Sequence, residues 1–159
     1  GAAFIFPHLG RPERFLNIIA YPNTSSPLVW DFLAIGTNDL SMYTLAVDRG
    51  AAELAGLYDP LHPAVLRLVQ FATEAGLRMR KPVSVCGEMG ANPAFTALLL
   101  GLGLRRFSIS APAVPRVKQA VRAASIEGAV RLARRVMDES DPARIRAHLA
   151  SAQGGSIPG

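Results

Sequence analysis

Three short apolar runs set the terms on which this chain can fold: Phe32-Leu33-Ala34-Ile35, Val83-Ser84-Val85-Cys86 and Phe107-Ser108-Ile109-Ser110. Each is too short for a helix, and each ends in or runs into glycine or small polar side chains. Helical punctuation fills the stretches between them. Pro63 stands at a first helical position, Val65, Leu68, Val69 and Ala72 recur at helical spacing, and Gly76 marks a stop, which predicts a helix over 63–75. Asn92 and Pro93 form a cap and first-turn pair for another, Pro93 to Leu100, closed by Gly101 and Gly103. Strands that are apolar on both faces and alternate with helices belong to a parallel, helix-covered sheet, so the expected class is α/β.

Outside these units the pattern changes. Residues 1–30 form an atypical segment, with Pro7, Pro12, Pro22 and Pro27 interrupting everything except a short helix over about 12–19. Residues 31–124 carry the strand and helix units, the last helix of which opens at Pro112 and Pro115 and runs through Arg122. Ser125 and Asp141 are caps for two C-terminal helices, 126–138 and 142–150, and the tail 151–159 is expected to be disordered.

Half of the 159 residues are apolar and the mean hydropathy is +0.23, enough for one core of ordinary domain size and against global disorder. Seventeen Lys and Arg against twelve Asp and Glu give a net charge of +5, most of the excess falling after residue 100. There the arginines alternate with alanines and have no interleaved aromatic residues, so they read as solvated helix surface and not as a nucleic-acid face. No apolar run approaches the roughly 18 residues of a membrane span. The opening Gly1-Ala2-Ala3-Phe4 lacks the basic region of a signal peptide, and a cytoplasmic location without membrane contact is expected. The single cysteine, Cys86, excludes a disulfide framework and a cysteine-built zinc site.

In parallel α/β folds, ligands meet the C-terminal ends of the strands. Asn38 and Asp39 follow the first run, Cys86 and Glu88 the second, and Ser108 and Ser110 close the third. Asp39 can hold a hard cation and Asn38 can orient a phosphate or carboxyl group, although Gly36-Thr37-Asn38-Asp39 is equally good turn composition. Arg49 can grip a phosphate with its planar fork or pair with Asp48 on the surface. Cys86 reads as a proton donor, a nucleophile or an inert packing thiol. His8, His62 and His148 receive no catalytic role.

Taken together and in order, Phe32 to Leu40, Tyr43 to Gly50, and Val85-Cys86-Gly87-Glu88-Met89 closely resemble the C-terminal barrel of the phosphoenolpyruvate-utilising enzymes. Within that family the resemblance is to the enzyme I branch of the bacterial phosphotransferase system, the phosphoenolpyruvate-protein phosphotransferases. It extends over about 31–124 and takes in Leu57-Tyr58-Asp59-Pro60. The resemblance implies a (β/α)8 TIM barrel of which the last three βα units are legible, and a transferase that binds Mg²⁺ and phosphoenolpyruvate at the strand ends. It further implies phosphoryl transfer to a histidine on an acceptor domain or carrier protein, with release of pyruvate. By position, Asp39 is similar to a magnesium ligand, Asn38 and Arg49 to the groups that hold substrate phosphate and carboxylate, and Cys86 to the acid that protonates the enolate.

The chain also departs from the pattern. A whole barrel takes about 250 residues. The second metal-binding glutamate expected on the strand before Phe32 has no counterpart, since Glu13 is the only glutamate before residue 53. Ser41-Met42 stands where Thr-Gln is usual, and Ala91-Asn92 where Gly-Asp is usual. A three-stranded piece exposes a strand edge and an apolar face, so a homodimer or the missing barrel half is expected to cover it. Residues 1–30 are then expected to replace the normal upstream sequence in a truncated or frameshifted product. The other readings are a fragment of the pyruvate phosphate dikinase or phosphoenolpyruvate synthase type, and a non-catalytic binding or dimerisation module.

Overall fold

The computed structural model describes residues 33–47 and 57–154. Three strands, β1 (Leu33–Gly36), β2 (Val83–Cys86) and β3 (Arg106–Ser108), form one parallel sheet in that order. Leu33 pairs with Val83 and Gly36 with Cys86, while Cys86 pairs in turn with Ser108. All three strands therefore finish on the same rim. Around them lie α1 (Thr37–Leu45), α2 (Pro63–Arg78), α3 (Glu88–Ala91), α4 (Thr96–Gly101), α5 (Val114–Ala123), α6 (Ile126–Met137) and α7 (Pro142–Gly154). The α/β class read from the sequence is met as a small parallel sheet among many helices.

Local chemistry accounts for most boundaries. His62 caps α2 by accepting the Ala64 N–H, with Pro63 in the first turn, and the buried positions Val65, Leu66, Val69, Ala72 and Thr73 keep helical spacing. Ser125 Oγ accepts the Gly128 N–H at 3.1 Å to start α6, and Asp141 Oδ1 accepts the Ala143 N–H at 2.8 Å to start α7.

Elsewhere the boundaries differ from the sequence reading for identifiable reasons. Gly76 does not stop α2, which runs on to Arg78. Its missing side chain instead lets the helix lie directly on Val83 of β2, where an added Cβ would collide. Gly101, by contrast, ends α4 as expected, with Gly103 just beyond it at φ 101°, and it is also pressed on the Ala129 backbone of α6. The third strand comes earlier than expected, at 106–108, because β2 ends at Cys86 and offers no partner beyond Ser108. Helix α7 continues through residues 151–154, part of the tail expected to be disordered, since nothing in Ser151-Ala152 breaks it and Ser151 Oγ bonds back to the His148 carbonyl. The short helix expected near 12–19, residue 32 of the first run and residues 155–159 lie outside the described residues.

One apolar core joins the sheet to its helices. Ile35 and Val85 of the strands meet Val65 and Val69 of α2, Leu98 and Leu99 of α4, and Leu132 and Val136 of α6. Ile145 and Leu149 bring α7 into the same cluster. Each such side chain contributes about 1.5–3 kcal/mol relative to an exposed position, so the C-terminal helices are integral to the fold. Among the described residues no helix is long and apolar enough to cross a membrane.

Candidate functional site at the strand exits

With Gly36 opposite Cys86, the exits of β1 and β2 are neighbours. The first exit is not the loop that the turn composition of Gly36-Thr37-Asn38-Asp39 allows. Gly36 is itself the N-cap, and α1 begins at Thr37, so Asn38 and Asp39 stand in a first helical turn. An acidic side chain is favoured there by the exposed N–H groups of the helix start.

The second exit turns on Gly87, whose φ of 99° and ψ of −171° belong to a region open essentially to glycine. A Cβ on Gly87 would also fall 2.7 Å from Thr37 Oγ1 and 3.0 Å from Asn38 Oδ1. Two hydrogen bonds lock the exits together at this close approach. Thr37 Oγ1 donates to the Cys86 carbonyl at 2.9 Å, and the Glu88 N–H donates to Asn38 Oδ1 at 3.1 Å. Glu88 thus serves the site through its backbone.

Asp39 and Cys86 flank the α-carbon of Gly36. A Cβ built there would lie 3.8 Å from Asp39 Oδ2 and 4.0 Å from Cys86 Sγ. The thiol points toward the Ile35 carbonyl, to which it donates at 3.5 Å. Partial burial raises the Cys86 pKa above the ordinary thiol value, and the negative charge of Asp39 raises it further. A thiol kept protonated at neutral pH is fitted to give a proton and poorly fitted to act as a thiolate nucleophile.

Of the four site residues expected from sequence, Asn38, Asp39 and Cys86 come together, and Arg49 lies outside the described residues. Ser108 stands beside Cys86 in the sheet and Ser110 two residues further on, both exposed. Among the described histidines, His62 is a cap and His148 meets Glu139 at 3.1 Å. Several of the C-terminal arginines have structural partners: Arg105 donates to the Leu100 and Leu104 carbonyls, and Arg144 pairs with Glu139. Among the described residues no three His, Cys, Asp or Glu side chains cluster as a ready-made metal cage. Asp39 supplies a single hard oxygen donor, which suits Mg²⁺, an ion that uses one or two carboxylates and takes its remaining ligands from water and phosphate.

Sequence reasoning overlooked Thr37, Tyr58 and Gly87. A glycine directly after a strand-end cysteine, facing a Thr-Asn pair on the neighbouring exit, is the signal that marks the close approach.

The profile of the family described as PEP-utilising enzyme, PEP-binding domain, matches residues 28–126, well over half of the chain. The chain belongs to the phosphoenolpyruvate-utilising enzymes. Among curated members, it is 50% identical over 112 residues to a phosphoenolpyruvate-protein phosphotransferase of Cupriavidus necator, covering 70% of this chain and 19% of the relative. It is 44% identical over 115 residues to one of Haemophilus influenzae, covering 72% and 20%. A Salmonella typhimurium protein named as a phosphoenolpyruvate-dependent phosphotransferase system is 39% identical over 121 residues, covering 76% and 16%. The chain thus spans about a fifth or less of these relatives' length. In this phosphoenolpyruvate-utilising domain, the matched stretch includes every strand among the described residues and both linked exits.

Proposed function

We propose that the chain is a C-terminal part of a phosphoenolpyruvate-protein phosphotransferase, contributing the last three βα units of a (β/α)8 barrel and one side of its substrate mouth. The observation that carries this reading is the meeting of Asn38, Asp39 and Cys86 at two neighbouring strand exits. In such an enzyme the phosphoryl group of phosphoenolpyruvate passes to a histidine of an acceptor domain or carrier protein, and pyruvate is released. Phosphoryl transfer is mainly positioning and charge neutralisation, which needs few groups but fixed ones.

Asn38 donates its amide hydrogens to a phosphate or carboxylate oxygen, and Arg49 neutralises the same anion through a bidentate fork. Asp39 holds Mg²⁺, whose chemistry when bound is to offset phosphate charge. Once the phosphoryl group has left, the enolate carbon requires a proton from one direction, and the Cys86 thiol, neutral and fixed at the end of β2, donates it. The acceptor histidine, the remaining substrate ligands and the other barrel strands come from a dimer partner or from the rest of a longer protein.

Calorimetry with Mg²⁺ and phosphoenolpyruvate tests the reading. Binding by the chain that Asp39→Ala and Arg49→Ala each abolish supports it, with Cys86→Ala leaving binding intact while blocking pyruvate formation in a complemented enzyme. A folded chain that forms a stable dimer and has no affinity for the pair of ligands would instead favour a non-catalytic binding or dimerisation module.

A further inference from the structure

The Asn38 amide can serve an anion only if its nitrogen faces the mouth, and its neighbours decide which way it faces. The Glu88 N–H can only donate, so the Asn38 atom it reaches at 3.1 Å is the oxygen. The Tyr58 hydroxyl brings a second donor to the same oxygen at 3.5 Å. With Oδ1 engaged from two sides, the Nδ2 hydrogens are left to an incoming acceptor.

Tyr58 lies in the short irregular segment before α2, and the residue beside it is held from the far end of the chain. Asp59 Oδ1 accepts the Leu61 N–H at 3.0 Å, while Asp59 Oδ2 meets Arg146 Nη2 of α7 at 2.8 Å. The Asp59 side chain is only 17% exposed. Next to Arg146, Ile145 is fully buried in the core, so the guanidinium is delivered from a firmly seated helix. A chain of contacts therefore runs from α7 through Arg146, Asp59 and Tyr58 to Asn38.

We infer that Tyr58 is a positioning residue for the Asn38 amide, and that helix α7 sets its reach through the Arg146–Asp59 ion pair. The inference rests on the proposed function only for the use to which Asn38 is put. The orientation of its amide is a property of the chain itself.

Nitrogen-15 spectra of the full chain separate the two. Tyr58→Phe, which removes only the hydroxyl, is expected to shift the side-chain amide pair of Asn38 and the backbone amide of Glu88. Arg146→Ala is expected to shift the same signals to a smaller extent, and Arg146→Lys, which keeps the charge, to restore them in part. Dispersion across the rest of each spectrum shows that the variant is folded. Asn38 signals unmoved by Tyr58→Phe overturn the positioning role, and signals moved by Tyr58→Phe but untouched by Arg146→Ala overturn the link to α7. In a titration with Mg²⁺ and phosphoenolpyruvate, Tyr58→Phe is expected to weaken binding about 3- to 10-fold, the range of one hydrogen bond. Absence of binding by the unmodified chain would count against the proposed function and leave the spectral result to decide the inference.

Discussion

The hydroxyl of Thr37, itself almost wholly buried, donates to the carbonyl of Cys86 at 2.9 Å. Backbone pairing of β1 and β2 ends at Gly36 and Cys86, and this side chain adds one further rung beyond it. Thr37→Val keeps the shape but leaves the carbonyl without that donor, at a cost of about 1–3 kcal/mol. Thr37→Ser keeps the bond and loses one methyl group, about 0.8 kcal/mol. Urea denaturation should therefore rank serine above valine at this position. The reverse order would mean that packing and not the hydrogen bond joins the exits.

The two site glycines should respond oppositely to alanine. At Gly87 the backbone lies at φ 99° and a Cβ would crowd Thr37 and Asn38, so Gly87→Ala is expected to destabilise the chain by about 1–3 kcal/mol and to displace the Asn38 side chain. At Gly36 the φ of −80° is ordinary and a Cβ would make contacts of 3.8 and 4.0 Å, so Gly36→Ala should fold normally. Its methyl group would nevertheless stand between Asp39 and Cys86. Thermal unfolding of the two variants checks the contrast, and equal losses would contradict it.

Much of this arrangement was legible in the sequence because its cause is local. Val83-Ser84-Val85-Cys86 is a strand wherever it is buried on both faces, and the caps at His62-Pro63, Ser125 and Asp141 act over two or three residues. Gly76 is not the stop its position suggests, because a glycine that ends a helix and one that admits a neighbour look alike until Val83 is placed against it, and Gly101 does both. The same limit hid Tyr58 and Gly87, whose partner Asn38 is distant in the chain and near only in the fold.

Gly101 yields a sharp test of how firmly the C-terminal helices are joined to the sheet. An added methyl group would meet the Ala129 backbone of α6, which cannot yield as a flexible side chain would. Gly101→Ala raises intrinsic helix propensity, which by itself would stabilise α4. Overpacking should win, with a net loss of about 1–3 kcal/mol in chemical denaturation. A gain in stability would show that α4 and α6 can separate without penalty.

The protonation of Cys86 supplies a prediction in pH. Burial first, and the Asp39 carboxylate second, hold the thiol pKa above its ordinary value, so alkylation by iodoacetamide should rise with pH along a curve displaced to the alkaline side of a free cysteine. Asp39→Asn removes the charge and leaves the burial, and the midpoint should fall part of the way back. Stability follows the same sign. The group's contribution is complete below the unfolded thiol's pKa and is lost as pH rises through the folded value, because only the unfolded thiol ionises readily in that window. Cys86→Ala should accordingly flatten the decline in stability at alkaline pH. An alkylation midpoint that stays fixed on removing the Asp39 charge would mean that carboxylate and thiol do not sense one another, and the proposed proton-donor role would then rest on burial alone.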